Sequence, residues 1–166
     1  MRVAIISDSH DNEPNILKAL KYIAELKVKT IVHCGDICNP ESLELFAKNF
    51  AGEIYLVYGN GDFEQKDLKK IAADHHNVHL LGEVGEVTLG DKKIAFNHYP
   101  TKARTLAQTG KYDLVFYGHT HTPWEEMENK TKLLNPGTLA GLRNKATFAI
   151  YDTATDKATL TLLEKI

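Results

Sequence analysis

Residues 1–14 read MRVAIISDSHDNEP, and this opening stretch predicts the fold class of the chain. The run from Val3 to Ser7 is short, apolar and β-branched, which is typical of a strand buried on both faces. Polar residues then end the strand, and Pro14 stands where the first turn of a helix accepts proline. A buried strand, a polar loop and a helix in this order indicate a β-α unit of a parallel sheet.

The same succession repeats through the first half of the chain. Apolar residues from Ile16 to Ala24 recur at helical spacing. Thr30 to His33 predicts a second strand, and Asn39 followed by Pro40 predicts a capped second helix. Glu53 to Tyr58 predicts a third strand. This β-α-β-α-β order indicates parallel strands joined by crossover helices.

The second half of the chain changes character. Val84 to Leu89 and Lys92 to Asn97 flank a Gly-Asp turn, which predicts a β-hairpin. Leu114 to Tyr117 predicts another buried strand. Polar turns separate the remaining predicted strands, which indicates antiparallel pairing: Trp124 to Glu128, Lys132 to Leu134, Thr147 to Tyr151 and Ala158 to Leu163. We therefore expect an α/β chain in which two sheets pack together.

The bulk composition describes an ordinary globular protein. Of 166 residues, 43% are hydrophobic and 25% are charged, so we expect one domain spanning residues 1–166. The formal net charge of −2 and the lack of a basic block predict no dedicated nucleic-acid surface. No apolar run has the length of a leader or a membrane span. Cys34 and Cys38 form no disulfide framework, which favours a reducing cytoplasm.

Five short polar motifs follow predicted strands, at the edge where open α/β sheets bind ligands. Carboxylate, imidazole and amide groups suit divalent transition metals. Two such ions close together can activate water and bind phosphate. Each motif is weak alone, but the ordered set predicts a site for two metal ions. The motifs are Asp8-Ser9-His10, Gly35-Asp36, Gly59-Asn60-Gly61-Asp62, Asn97-His98 and Gly118-His119-Thr120-His121.

The ordered set resembles the calcineurin-like metallophosphoesterase superfamily, whose members carry D-x-H, G-D, G-N-x-D/E, G-H and G-H-x-H in that order. The resemblance spans Asp8 to His121, and Asn135-Pro136-Gly137-Thr138 is similar to an element of its small members. It implies the small bacterial and archaeal phosphodiesterase branch. The expected fold is a four-layer α-β-β-α sandwich with two mixed sheets and a dinuclear metal site at the carboxyl ends of the strands.

The resemblance also implies roles for individual residues, with Asp36 bridging the two ions. Asp36, Asn60 and His119 would take part in catalysis. Asp62 would orient a ligand or contact substrate. Independently of the resemblance, Tyr99 and Arg143 are candidate substrate contacts, with surface and packing roles as the favoured interpretation. Mn²⁺ is the favoured metal, with Ni²⁺, Fe²⁺, Co²⁺ and Zn²⁺ left open. One ion would bind Asp8, His10, Asp36 and His121, and the other would bind Asp36, Asn60, His98 and His119.

The implied function is that of a metal-dependent phosphoesterase, and above all a phosphodiesterase using a metal-bridging hydroxide. The substrate would be a small phosphodiester or nucleotide-like molecule. Two alternatives stay open, a phosphomonoesterase or nucleotidase and a non-catalytic protein-interaction scaffold. Homo-oligomers stay open too. Gly61 replaces the family's usual proton-donating histidine, which predicts a preference for good leaving groups, and Asn97 replaces a usual glycine.

Several remaining residues have simpler interpretations. His33 lies within a predicted strand, so we expect it in or near the core. His75, His76 and His79 follow a predicted helix in a polar stretch, which indicates a solvated loop. Trp124 is expected to serve packing.

Overall fold

The computed structural model describes the whole chain, Met1 to Ile166. Its four α-helices and eleven strands alternate as predicted in the first half and are richer in strands in the second. The first half contains β1 (Arg2–Ile6), α1 (Glu13–Glu25), β2 (Thr30–His33), α2 (Pro40–Asn49), β3 (Glu53–Leu56), α3 (Gln65–Asp74) and β4 (Val78–Leu80). The second half contains β5 (Val84–Leu89), β6 (Lys92–Asn97), α4 (Pro100–Gln108), β7 (Leu114–Phe116), β8 (Trp124–Glu128), β9 (Thr131–Asn135), β10 (Thr147–Asp152), β11 (Lys157–Leu162) and a short 3-10 helix (Leu163–Lys165).

The strands form two mixed sheets. The first has the order β11-β10-β1-β2-β3-β4, with β1 to β4 parallel and β10 antiparallel to both its neighbours. The second has the order β5-β6-β7-β9-β8, with β6, β7 and β9 parallel and both edge strands antiparallel. The prediction of two mixed sheets is therefore confirmed.

Side-chain alternation along β1 explains the layers. Ala4 and Ile6 belong to the core shared with α1, α2 and α3. Val3 and Ile5 point the other way, into a second core that contains Phe96 and other residues of the second sheet. Each of these side chains is fully buried, and complete burial of one isoleucine stabilises the fold by roughly 1.5–3 kcal/mol. A third cluster packs α4 on the outer face of the second sheet, which completes the α-β-β-α order.

The structure corrects the solvated-loop prediction for one of the three histidines after α3. His79 lies in β4, a parallel neighbour of β3, and its ring stacks on Tyr55 at a centroid distance of 4.8 Å. Its Nε2 lies 2.6 Å from a carboxylate oxygen of Glu53. His75 and His76 lie in the loop between α3 and β4 as predicted, with the His75 Nε2 atom 2.8 Å from a carboxylate oxygen of Glu44 and His76 exposed. A strand of three residues is too short to show an alternating pattern, so its residues carry no recognisable strand signal.

Two expectations for the second half also need correction. Residues 131–135 form β9, which is antiparallel to β8 as expected but parallel to β7. The polar turn between β8 and β9 predicts the pairing of these two strands, but it carries no information on the pairing of β9 with β7 on its other side. Trp124 does not serve packing, since it is 56% exposed on the edge strand β8.

None of the helices has both the length and the apolar character required to cross a membrane.

A side chain from the β1–α1 loop stabilises the start of α2. Asn39 occupies the cap position, but its side chain makes no capping hydrogen bond. The Asp11 Oδ1 atom instead accepts a hydrogen bond from the Asn39 backbone N–H at 2.9 Å and one from the Ser42 hydroxyl at 2.7 Å. The loop that carries Asp8 and His10 is thereby attached to the next β-α unit.

We predict that Asp11→Ala lowers the free energy of unfolding by about 1–2 kcal/mol, because both hydrogen bonds lose their acceptor. Asn39→Ala is the matched control and should change it by less than about 0.5 kcal/mol. Urea denaturation followed by circular dichroism measures both. Equal effects of the two variants would show that Asp11 does not stabilise the helix.

Candidate metal centre

The five motifs follow β1, β2, β3, β6 and β7, and their loops meet at one edge of the two sheets. Backbone hydrogen bonds join them: the Asp8 N–H donates to the Gly35 carbonyl at 3.0 Å, and the His10 N–H donates to the Asp36 carbonyl at 3.1 Å. The Gly118 N–H donates to the His98 carbonyl at 3.0 Å. All seven side chains predicted as metal ligands lie in this region, with the two aspartates buried and Asn60 and His119 exposed.

The first ligand group consists of Asp8, His10 and His121, whose potential ligand atoms lie within 4.8 Å of one another. The Nε2 atoms of His10 and His121 are 3.2 Å apart. The Asp8 Oδ1 atom lies 3.1 Å from the His121 Nε2 atom and 3.8 Å from that of His10. One carboxylate oxygen and two imidazole nitrogens thus face a common point.

The second ligand group consists of Asn60, His98 and His119. The Asn60 Oδ1 atom lies 3.0 Å from the His98 Nε2 atom and 2.8 Å from the His119 Nδ1 atom. The two imidazole nitrogens are 3.2 Å apart. An amide oxygen therefore occupies the place that a carboxylate takes in the first group.

Asp36 lies between the two groups. Its Oδ1 atom is 3.5 Å from the His98 Nε2 atom, and its Oδ2 atom is 3.7 Å from the His10 Nε2 atom. Each oxygen thus faces a different ligand group, as a bridging carboxylate requires. Asp8, Asp36 and His98 also place ligand atoms within 4.8 Å of one another, so the two groups adjoin.

The donor atoms fit divalent cations. Ligands at about 2.0–2.2 Å from one ion, in neighbouring coordination positions, stand about 3 Å apart, close to the spacing within both groups. Two unprotonated imidazole nitrogens facing each other repel unless a cation or a proton lies between them. The buried Asp8 Oδ1 atom has no hydrogen-bond partner in the protein, and burial raises the pKa of Asp8. A cation at this point would compensate the buried charge.

Hydrogen bonds determine which ring nitrogen of each histidine is free to bind a metal ion. The Nδ1 atom of His98 donates to the Cys34 carbonyl at 2.9 Å, and that of His121 donates to the Leu142 carbonyl at 3.2 Å. Both rings therefore present an unprotonated Nε2 atom to their ligand groups. His10 follows the same pattern, with its Nδ1 atom 3.4 Å from the Cys38 sulfur. His119 differs because its Nδ1 atom faces the group and its Nε2 atom has no partner.

The backbone of these loops is strained. Asp8, His10, Asp36, His119 and His121 all have positive φ angles, between 39° and 70°. A left-handed conformation costs a residue with a side chain roughly 1–2 kcal/mol, and such strain concentrates at functional sites. Five of the seven predicted ligands share it, which indicates that side-chain placement outweighs local conformational preference here.

The glycines of the motifs permit close approach. A Cβ atom on Gly59 would lie 2.2 Å from the Asp36 Oδ1 atom, and one on Gly118 would lie 2.7 Å from the Asp8 Oδ2 atom and 1.9 Å from the Ser7 hydroxyl oxygen. Either residue with a side chain would displace a proposed ligand. The glycine requirement at these positions is therefore steric.

Asp62 holds two of the loops together. Its carboxylate accepts hydrogen bonds from the backbone N–H groups of Asp36 at 3.0 Å, Cys38 at 2.7 Å and Gly59 at 2.6 Å. It is only 3% exposed. Of the two roles expected for Asp62, these three hydrogen bonds support the orientation of Asp36.

The two candidate substrate contacts differ in their surroundings. The exposed Arg143 makes no hydrogen bond or ion pair, and the adjacent Asn144 donates a hydrogen bond to the His121 carbonyl at 3.0 Å. Arg143 thus lies in a loop attached to the first ligand group. The ring of Tyr99, which is 42% exposed, lies 5.1 Å from the rings of both His98 and His119.

His33 has a role that the sequence did not reveal. It is buried as expected, but its Nδ1 atom accepts a hydrogen bond from the Gly35 N–H at 3.3 Å, and its Nε2 atom lies 3.0 Å from the Ser9 hydroxyl oxygen. Burial lowers the pKa of His33 to about 3, so the ring is neutral. It joins the loop of Asp8 and His10 to that of Asp36. The sequence signal that could have indicated these hydrogen bonds is the position of a polar residue at the end of a buried strand.

Comparison with known proteins identifies the family. The model of the calcineurin-like phosphoesterase superfamily domain matches residues 1–156. The chain belongs to this superfamily. Membership confirms the resemblance drawn from the five motifs. It also supports divalent metal binding as a family property, for which this chain has candidate ligand residues.

Individual members of the superfamily resemble the chain over nearly all of its length. It is 33% identical over 156 residues to a phosphodiesterase of Methanocaldococcus jannaschii, covering 92% of this chain and 93% of that protein. A solved archaeal phosphodiesterase matches with a TM-score of 0.90 at 30% identity, covering 98% of this chain and 99% of the other. Vps29 of Entamoeba histolytica, at 18% identity and a TM-score of 0.71 with 98% and 99% covered, shares the fold.

We predict that Asp62→Asn lowers the free energy of unfolding by about 2–4 kcal/mol. The substitution replaces one acceptor oxygen by an NH₂ group that faces a backbone N–H, and a buried unsatisfied donor is costly. Asp74→Asn, at an exposed position at the end of α3, should change it by less than about 0.5 kcal/mol. A small effect of Asp62→Asn in urea denaturation would contradict the proposed function of these three hydrogen bonds.

Proposed function

We propose that the chain is a phosphodiesterase that works as a single domain with two divalent transition-metal ions. The observation that carries this proposal is the position of Asp36, whose two oxygens face two different groups of ligand atoms. The phosphodiesterases to which the chain is 33% and 30% identical support the same reaction. Asp8, His10, Asp36 and His121 would bind one ion, and Asp36, Asn60, His98 and His119 the other.

The donor set narrows the choice of metal. Imidazole nitrogens outnumber carboxylates and no thiolate takes part, which disfavours Mg²⁺ or Ca²⁺ alone. We propose Mn²⁺, with Ni²⁺, Fe²⁺, Co²⁺ and Zn²⁺ as candidates for the same positions. We also propose the cytoplasm as the compartment, since both cysteines are free thiols.

The bound ions would lower the pKa of a water molecule and neutralise charge on the phosphate. The protein supplies the arrangement around them. Asp8 and Asp36 contribute two negative charges while Asn60 contributes none, so the loaded site keeps a positive charge that attracts an anionic diester. Partial burial and the neighbouring His98 lower the pKa of His119 from its usual value. With its Nδ1 atom facing the ligand group, its Nε2–H can donate to a phosphate oxygen.

The protein offers no proton to the leaving group at residue 61. Gly61 has no side chain, and its backbone N–H is already donated to the Asp36 Oδ1 atom at 2.6 Å. We therefore propose that good leaving groups depart without protonation by the protein. This arrangement favours small phosphodiesters of acidic alcohols over phosphomonoesters of poor leaving groups.

We predict that Asn60→Ala or His98→Ala lowers kcat/KM for a diester by at least about 100-fold, because either change removes a ligand of the second ion. His76→Ala, an exposed histidine without a partner, should retain wild-type activity. Metal-free protein is loaded with Mn²⁺, Ni²⁺, Zn²⁺ or Mg²⁺ and assayed on matched diesters and monoesters. Bound metal is counted by mass spectrometry.

Three results would each change the conclusion. A preference for monoesters would favour a phosphomonoesterase or nucleotidase. Full activity of Asn60→Ala would exclude the second ion from catalysis. Absence of hydrolysis with every metal would favour the non-catalytic scaffold.

A second prediction concerns Gly61. A Cβ atom there would lie 3.0 Å from the Cys38 sulfur and 3.2 Å from the Asp36 carboxylate, so any side chain requires a small adjustment. Gly61→Ala measures the effect of that adjustment alone. Gly61→His should exceed Gly61→Ala by about 10-fold or more in kcat for alkyl diesters and by less for nitrophenyl diesters, since only poor leaving groups need a proton. Equal rates of the two variants on alkyl diesters would contradict the missing-acid interpretation.

A further inference from the structure

A cleft of about 500 Å³ adjoins the second ligand group, and its volume lies within the range of small-molecule sites. Asn60 belongs both to this cleft and to the ligand group. We call it the aromatic cleft, because three of the residues that line it are aromatic. Its main lining residues are Tyr58, Asn60, Phe63, Glu83, Tyr99 and Lys102.

Tyr99 connects the aromatic cleft to the proposed metal ligands. Its ring meets those of His98 and His119 at interplanar angles of 79° and 60°, so one part of it packs on the ligand group. The buried Asn97 donates its side-chain N–H to the Tyr99 carbonyl at 2.8 Å. Asn97 stands where the family has a glycine, and here its side chain fixes the position of Tyr99.

Phe63 forms another part of the cleft lining, and it is 86% exposed although it follows the buried Asp62. Three aromatic side chains are largely exposed on this protein, and two of them, Phe63 and Tyr99, line this cleft. Exposed apolar groups gathered beside polar ones commonly mark a binding site. An aromatic ligand would remove both rings from water and add stacking.

The cleft also offers unused polar groups. The side chains of Gln65, Glu83, Thr101 and Lys102 line it, and none of them makes a hydrogen bond or an ion pair within the protein. They include hydrogen-bond donors and acceptors, with a negative charge on Glu83 and a positive charge on Lys102. A planar group with polar edges would find partners here, whereas an alkyl chain would use none of them.

We propose that the aromatic cleft binds one ester substituent of the substrate, a planar aromatic group, while the phosphate lies at the two ligand groups. The inference rests on the proposed function and names its substrate class, diesters carrying an aryl group or a nucleobase. Asn60 is common to both places, so a ring one ester bond away from the phosphate reaches the cleft. Phe63 and Tyr99 would determine specificity by stacking on that ring.

The experiment compares two diesters, aromatic bis(4-nitrophenyl) phosphate and aliphatic bis(2,2,2-trifluoroethyl) phosphate, the second followed by fluorine NMR. The intrinsic reactivity of each diester cancels in the ratio of variant to wild type. Phe63→Ala should raise KM for the aromatic diester about tenfold, because the aromatic ring of that substrate loses a stacking partner. KM for the aliphatic diester should change less than twofold. Phe63→Tyr should restore the wild-type KM. Met127→Ala, another exposed apolar residue, is the control.

A binding measurement separates the sources of the aromatic ring and does not depend on turnover. Calorimetry on the metal-loaded protein compares adenosine 5′-monophosphate, phenyl phosphate and ribose 5-phosphate. The wild type should bind at least one aromatic ligand about tenfold more tightly than ribose 5-phosphate, and Phe63→Ala should abolish the difference. Tighter binding of adenosine 5′-monophosphate than of phenyl phosphate would identify a nucleobase as the preferred aromatic group, and the reverse order would identify an aryl group.

Failure of this inference is distinct from failure of the proposed function. Retained hydrolysis with equal effects of Phe63→Ala on both diesters, or equal affinities of all three ligands, would overturn the aromatic cleft as a substrate site. Absence of hydrolysis of both diesters by the wild type would overturn the proposed function, and the calorimetry would then decide the cleft by itself.

Discussion

The carboxylates of Asp8 and Asp36 are buried among the imidazole rings of the candidate metal centre, and five loops are arranged around them. Neither aspartate is more than 2% exposed, and one oxygen of Asp8 has no hydrogen-bond partner. Two buried negative charges are costly unless cations or donors compensate them. The loops around them supply backbone N–H groups, and the proposed ions would supply the remaining positive charge. Binding of such ions to the folded state alone would stabilise the fold.

The two sheets explain why distant residues can satisfy this constraint. Parallel strands β1, β2 and β3 end at one edge of the first sheet, while β6 and β7 end at the corresponding edge of the second. The sheets pack through a shared core, and backbone hydrogen bonds join the loops of each sheet to one another. Rigid strands therefore determine where the loops begin, and the loops accept left-handed conformations to direct their side chains inward.

The sequence predicted the features that depend on local pattern. Buried β-branched runs marked β1 and β2, and the hairpin of β5 and β6 was predicted with its observed limits. The residues of the candidate site were found because each follows a strand and carries a metal-binding group. Local pattern could not predict β4, which consists of three residues, or the parallel pairing of β9 with β7. It also could not predict Asp11 as the acceptor at the start of α2, since that contact joins residues 28 and 31 positions apart.

The departures from the family pattern lie on the same side of the site. Gly61 and Asn97 adjoin Asn60 and His98 of the second ligand group, whereas the first group keeps the full pattern. At Gly61 the Asp36 Oδ1 atom accepts a hydrogen bond from the backbone N–H. The Asn97 side chain donates a hydrogen bond to the Tyr99 carbonyl and so fixes Tyr99 beside His119. Under the proposed function, the first departure would remove a proton donor and the second would position an aromatic wall of the cleft. A site that does not protonate its leaving group would favour aryl esters, whose alcohols are acidic, and an aryl leaving group would also fit the aromatic cleft. The two departures would therefore favour the same aryl diesters.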